Sequence, residues 1–412
     1  MGIGQRRKRV ALVQPDFIPG GGTEAVTAWA IETLKSDYSV SLLTFSPVNT
    51  ANINDFYGTR IDEGEYAVIN PRLPFFQNRL MRFAMARDHL MMRYCKSLNR
   101  DFDLFIGVGG GMDFGKRGIQ YGAYAPASTL MKILGDKTAT PGAYYLMKKT
   151  FMRACESLSG FSLDSLRGNV SLATSKWTGE RMEEMYALQD YEVVYPPVNT
   201  PDVARRWEDR EEAFLCVARI VPEKMVDQAI EILKRVREIG FPITLHIAGR
   251  PDDRRYFEKI QELQAANASW VFVYDVLPKD ELVGLMDRCK YGINAASGEP
   301  AGIAAIEMLK AGCIVFVREG GGLPEIVDTP AVTYTDITDA VGKIVHVLGD
   351  SESRALLRER LDERARSCST ETFCLAIKRV VRQFFDEISE NPNADQGSEL
   401  DGSSHQNQEA AC

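Results

Sequence analysis

Val10-Ala-Leu-Val-Gln-Pro-Asp16, Gly20-Gly-Gly-Thr-Glu24, the periodic run Ala25 to Leu34, and Tyr38 to Phe45 follow one another near the start of this chain. They read as a strand, a glycine turn, a helix and a second strand. Parallel strands need a crossover element between them, so this order predicts a parallel α/β unit. The alternation then repeats. Phe75 to Leu98 has helical periodicity, Asp103 to Val108 reads as a strand ending at Gly109-Gly-Gly111, and Tyr144 to Leu158 reads as a helix. Val170 to Ser175 predicts another strand and Lys176 to Leu188 another helix. The expected fold class is α/β, with doubly wound sheets.

Tyr195-Pro-Pro-Val-Asn-Thr-Pro201 marks a junction, because its prolines restrict the backbone and supply no amide hydrogen to a sheet ladder. A second series follows. Strands are expected at Phe214 to Ala218, Ile243 to Ile247, Trp270 to Tyr274, Tyr291 to Ala295 and Ile314 to Val317. Helices are expected at Met225 to Ile239, Arg254 to Ala266, Lys279 to Cys289, Gly302 to Ala311 and Glu371 to Phe385. A chain of 412 residues exceeds the size at which one core stops growing. The expected division is an N-terminal domain over 1–199, a C-terminal domain over 200–370, a crossover helix over 371–387 and a disordered tail over 388–412.

Composition narrows the class. Apolar residues make up 45% and charged residues 26%, as in a folded protein, and no apolar run reaches membrane-spanning length. The eight cysteines form neither a metal knuckle nor a compact disulfide framework, so reduced thiols and a cytoplasmic location are expected. The net charge of −8 is uneven. Arg72 to Arg153 holds 14 Lys and Arg against five Asp and Glu, a surface suited to anionic contact or to simple solvation.

Two acids eight residues apart bracket a small-residue helix start in Glu299-Pro-Ala-Gly-Ile-Ala-Ala-Ile-Glu307. Amides around Ala301, Gly302 and Ile303 are placed to meet an anion at that helix's positive end. Upstream, Arg219 and Lys224 flank a proline turn directly after a buried strand, where cations would hold phosphates and neutralise a leaving group. In order, Gly20 to Glu24, Val217-Ala-Arg-Ile-Val-Pro-Glu-Lys224 and Ser297-Gly-Glu-Pro-Ala-Gly-Ile303 through Glu307 resemble the motifs of the family 4 retaining glycosyltransferases. The resemblance spans roughly Val10 to Phe385 and implies two facing Rossmann-like domains, the GT-B fold, with the C-terminal helix packing back toward the N-terminal domain.

It also implies roles. Glu299 would face the donor sugar near its anomeric carbon, Glu307 would bind ribose hydroxyls, and Gly20, Gly21 and Gly22 would approach the donor diphosphate. Ser175, Arg250 and Val276 fall at family-like cleft positions, Val276 beside the nucleobase. Ser175 as a helix cap and Arg250 as a turn residue are the plainer readings. Many relatives carry a histidine near the donor sugar. The corresponding stretch, Ile119 to Pro126, offers Gln120, Tyr121 and Tyr124 instead, either for sugar hydroxyls or for packing.

The implied reaction is hexosyl transfer with retention from a UDP-sugar or GDP-sugar to an acceptor hydroxyl, with neither a cofactor nor a metal. The acceptor is expected to be a glycan or lipid-linked, with peripheral membrane contact through Phe75 to Phe83, Arg79, Arg82 and Lys96. A non-catalytic sugar-nucleotide-binding regulator is the alternative. A nucleic-acid partner is not expected, because no reader module accompanies the basic segment.

Overall fold

The computed structural model describes residues 6–18, 20–72, 83–124, 143–199, 201 and 203–390. Its first part carries strands β1 (Arg9–Val13), β2 (Ser39–Leu43), β3 (Tyr66–Ile69), β4 (Leu104–Gly110), β5 (Ile119–Tyr124), β6 (Val170–Ala173) and β7 (Glu192–Val193). Helices α1 (Gly22–Leu34), α2 (Thr50–Tyr57), α3 (Ala84–Ser97), α4 (Ala143–Ser159), α5 (Leu163–Arg167) and α6 (Lys176–Tyr186) connect them. The second part carries β8 (Glu211–Val217), β9 (Thr244–Ala248), β10 (Val271–Tyr274), β11 (Cys289–Asn294), β12 (Ile314–Arg318) and β13 (Thr333–Tyr334). Its helices are α7 (Val226–Glu238), α8 (Arg254–Ala266), α9 (Lys279–Arg288), α10 (Ile303–Lys310), α11 (Leu323–Val327), α12 (Ile337–Gly349) and α13 (Ser351–Arg366), and α14 (Thr370–Glu390) is the last described element.

Two parallel sheets result, ordered β3-β2-β1-β4-β5-β6-β7 and β10-β9-β8-β11-β12-β13. Each winds outward in both directions from a central pair, β1 with β4 and β8 with β11. Ligands in such sheets bind beyond the carboxyl ends of the strands where the winding reverses. The central strands are covered on both faces, so Val10, Leu12, Phe214 and Leu215 are solvent-free, as near-continuous apolar runs require.

The chain crosses between sheets twice, once after β7 and again into α14. Lys310 ties these crossings together, its ammonium donating to Val198 O at 2.6 Å and Cys368 O at 3.1 Å. Phe373, Ile377, Val380, Val381 and Phe384 form a helical stripe on α14 that is buried in the N-terminal core beside Ala28 and Ile31 of α1. Each such side chain contributes roughly 2 kcal/mol of burial. The helix continues to Glu390, three residues into the stretch expected as tail; the remainder of that expected tail lies outside the described residues.

Helices α12 and α13 go beyond the sequence expectation: α13 buries only Leu357, Leu361 and Ala365 in a charge-rich sequence, while α12 carries a clear buried stripe of Ala340, Ile344 and Val347. The amphipathic segment Phe75 to Phe83, with Arg79 and Arg82, lies outside the described residues except for Phe83. Lys96 is turned inward. Its ammonium donates to the fully buried carboxylate of Asp113 and to Gly160 O, both at 2.6 Å, which removes it from any membrane-facing role. Among the described residues no helix is long and apolar enough to cross a membrane.

Candidate active site

The turns after β8 and β9 run on side by side, with Ala218 N donating to Ala248 O at 3.1 Å and Ile220 N to Arg250 O at 2.8 Å. Gly249 permits this approach, since a Cβ there would stand 1.8 Å from Ala218 O. Arg219 and Arg250 consequently converge on Asp252. Arg250 Nε donates to Oδ1 at 2.6 Å and an Arg219 terminal nitrogen to Oδ2 at 3.4 Å. Hydrogen bonding from Arg250 is the main reason the Asp252 carboxyl is held below its usual range. Both guanidinium groups remain more than half exposed, so a phosphate can compete with Asp252 for them.

Lys224 closes a single turn over Pro222–Lys224, after which Met225 takes a left-handed conformation with φ 50°. Its ammonium is ion-paired with the Glu299 carboxylate, the two side chains being 19% and 16% exposed. The loop after β12 wraps around this acid. Gly322 N donates to Glu299 O at 2.8 Å and Gly298 N to Gly320 O, while a Cβ at Gly321 would fall 2.6 Å from Glu299 O. The Lys224–Glu299 pair is thus fixed from three segments, at the carboxyl end of the β8–β11 pair.

Helix α10 begins beside it without a side-chain cap, behind Gly302 in a left-handed conformation (φ 65°). Gly302 O accepts from Ala305 N and Ile306 N, and no side chain caps the helix start, which leaves its positive end suited to an anion. Across the cleft α1 also starts without a side-chain cap, behind Gly21. The two ends meet closely: a Cβ at Gly22 would lie 2.6 Å from Ile303 Cδ1. Glu24 folds back over this loop, and a Cβ at Gly21 would reach its Oε2 at 2.2 Å. Burial pushes the Glu24 carboxyl up, and Gln14 Nε2 donates to it at 3.0 Å. An anion at the glycine loop would have to displace Glu24 or meet it protonated.

Glu307 lies in the second turn of α10, partly buried, and faces a cavity of about 690 Å³ shared with Trp29, Asn199, Lys279 and Met286. Burial raises its carboxyl to about 7, against the opposing pull of Lys279 and Lys310. Near neutrality such a group both donates and accepts, which suits a vicinal diol. Val276 follows β10 and is 66% exposed, open to a planar ligand.

Other expected site residues are placed differently. Ser175 is solvent-free, and its hydroxyl accepts from Thr178 N at 3.1 Å as the cap of α6, so it builds the cleft wall rather than touching a ligand. Gln120 is likewise fully buried, donating to Ser171 Oγ at 2.8 Å. Tyr121 donates to Val194 O at 2.8 Å with its ring edge-on to Phe373. Packing between β5, β6 and α14 thus engages both side chains, which leaves neither turned to a sugar hydroxyl. Tyr124 ends β5 opposite Gly110.

Two contacts across the molecule had no signal in the sequence. Glu325 of α11 accepts from Lys176 N at 2.8 Å and Trp177 N at 3.4 Å, so an acid from one sheet caps a helix of the other. Tyr57 of α2 lies beneath the glycine loop, accepting from Gly20 N at 2.8 Å and donating to Gly21 O at 3.1 Å. Among the described residues, no cluster of three His, Cys, Asp or Glu side chains is placed to hold a metal.

With two facing parallel sheets and a cationic cleft between them, the molecule has the GT-B fold. Residues 202–367 match the family model of the glycosyl transferases group 1. The curated relatives include the GDP-Man:Man(3)GlcNAc(2)-PP-Dol alpha-1,2-mannosyltransferases of Candida glabrata and Debaryomyces hansenii. The first is 25% identical over 50% of this chain and 50% of its own length. The second is 26% identical over 37% of this chain and 29% of its own. The chain thus spans half or less of the relatives it matches. Similar solved structures include WaaG, a glycosyltransferase involved in lipopolysaccharide biosynthesis, with TM-score 0.64 and 14% identity, over 89% of this chain and 98% of that one. Anabaena HepE in complex with UDP-glucose has TM-score 0.62 and 12% identity over 91% and 99%. At such identities these likenesses concern the fold.

Proposed function

We propose that this protein is a retaining glycosyltransferase that moves a hexosyl group, mannosyl foremost, from a nucleoside-diphosphate sugar to a hydroxyl of a glycan or lipid-linked acceptor. The observation that carries the reading is the Lys224–Glu299 pair seated beside the uncapped start of α10, with Glu307 one turn further along the same helix. A nucleoside-diphosphate sugar offers matching groups in the same order: sugar, diphosphate and ribose. The relatives that use GDP-mannose and a dolichol-linked acceptor support the donor and acceptor classes.

In this reading the diphosphate takes Lys224 from Glu299 and engages Arg219 and the α10 amides. The bond from the anomeric carbon to the diphosphate oxygen breaks as negative charge builds on that oxygen. The acceptor oxygen bonds to the same carbon from the same face, and its proton passes to the departing diphosphate. Glu299, released from Lys224, orients the sugar and supports the developing positive charge at the anomeric carbon. The cationic groups manage the phosphate charge without a metal, at a cytoplasmic or peripheral membrane location.

The test is a panel of GDP- and UDP-sugars with lipid extract and soluble glycans as acceptors, scoring nucleoside-diphosphate release together with sugar incorporation. GDP-mannose turnover with incorporation is expected. Binding of no donor and release of no diphosphate across the panel would overturn the reading.

A further inference from the structure

Tyr57 is 6% exposed, so its hydroxyl is committed to the Gly20 amide and the Gly21 carbonyl. Those two groups belong to the turn that presents the start of α1 to Ile303 across the cleft. Gly20 itself has φ 126°, a conformation open to glycine, whose backbone is free to leave it unless contacts fix it. The backbone of the same tyrosine is fixed from the other side: its carbonyl accepts from Asn199 Nδ2 at 2.6 Å. Asn199 lies on the first crossing between the sheets, and its Oδ1 accepts from Thr370 Oγ1, at 2.9 Å, on the second. The preceding carbonyl, Phe56 O, accepts from Lys279 of α9 at 3.1 Å. The last turn of α2 therefore contacts the glycine loop, both crossings and the C-terminal part.

We infer that Tyr57 is a positioning residue that holds the Gly20 to Gly22 loop in its donor-facing conformation, and that Asn199 makes this hold depend on the arrangement of the two crossings. The inference rests on the proposed donor site for its functional consequence, while the holding itself is a property of the unliganded protein. It also accounts for Asn199, whose two side-chain contacts otherwise join elements with no common task. Movement of one sheet against the other pulls on Asn199, and the pull reaches the loop through one residue. Tyr57 touches no reacting atom and acts only through the backbone of Gly20 and Gly21.

Two readouts on the full chain test it. Hydrogen exchange of the unliganded protein, followed in peptides spanning residues 14 to 28, should accelerate in both Tyr57→Phe and Asn199→Ala, with peptides from β8 to β12 unchanged. Calorimetric binding of GDP and UDP should weaken about tenfold in Tyr57→Phe for the nucleotide that the wild type prefers, the size expected for two neutral hydrogen bonds. Donor KM should rise in step, with kcat changed less than threefold. Unchanged exchange in 14 to 28 overturns the inference, as does wild-type nucleotide affinity in a Tyr57→Phe protein whose loop exchanges faster. If the wild type binds neither nucleotide, the donor reading fails, and the exchange arm still decides whether Tyr57 holds the loop.

Discussion

Replacing Glu307 with Gln should change how stability depends on pH. Burial raises the Glu307 carboxyl to about 7 in the folded protein, against 4.5 for the unperturbed group. A carboxyl shifted upward contributes its stability fully below the unfolded value and loses it as pH rises through the folded value, because the folded state then holds a charge it disfavours. At about 1.4 kcal/mol per unit, the gap corresponds to about 3 kcal/mol lost between pH 4.5 and pH 8. Glutamine keeps the shape and cannot ionise. Relative to wild type, Glu307→Gln should therefore gain about 3 kcal/mol over that interval, whatever constant offset the substitution introduces. Urea unfolding followed by the fluorescence of the four tryptophans, at pH 4.5, 6, 7 and 8, measures the difference directly. A difference between the proteins that stays constant across this range within about 0.5 kcal/mol would refute the reasoning and remove the argument that Glu307 is poised to share a proton with a ribose diol.

Two further substitutions test the neighbouring geometry. Lys224→Met should weaken binding of the preferred nucleoside diphosphate by roughly 10- to 100-fold in calorimetry, the worth of one charge-assisted contact, and wild-type affinity would show that the ammonium does not meet phosphate. Gly302→Ala forces a side chain onto a residue at φ 65° and places its Cβ 2.7 Å from Leu323 Cδ1. It should cost roughly 1–3 kcal/mol in urea unfolding, and full stability would mean that α10 starts differently.

Much of the fold was legible because buried parallel strands announce themselves as apolar runs. Those centred on Val10, Leu104, Phe214, Ile293 and Ile314 sit where the periodicity puts them. Helix α2 was not legible from its apolar spacing, with only Ile53 and Tyr57 buried, although its ends were marked: Asn49 caps it by accepting from Asn52 N, and Gly58 turns left-handed after it. Arg219, Lys224 and Glu299 were legible as candidates because each lies in a loop that follows a strand, and Glu307 because it stands eight residues after Glu299 on the next helix. Gln120 and Tyr121 misled because a polar side chain near the end of a strand looks the same in sequence whether it faces a cleft or a buried partner such as Ser171 or Val194. Glu325 and Tyr57 act on groups 149 and 37 residues away, respectively, and no local pattern encodes such pairs.

The central claim is that the Lys224–Glu299 pair marks the seat of sugar transfer. The most direct measurement compares wild type with Glu299→Gln for incorporation of mannose from GDP-mannose, with GDP affinity and urea midpoint determined on the same preparations. The account predicts a loss of transfer of at least about 100-fold with GDP affinity and folding retained. Transfer within a few-fold of wild type, in a folded Glu299→Gln protein that binds GDP normally, would contradict it.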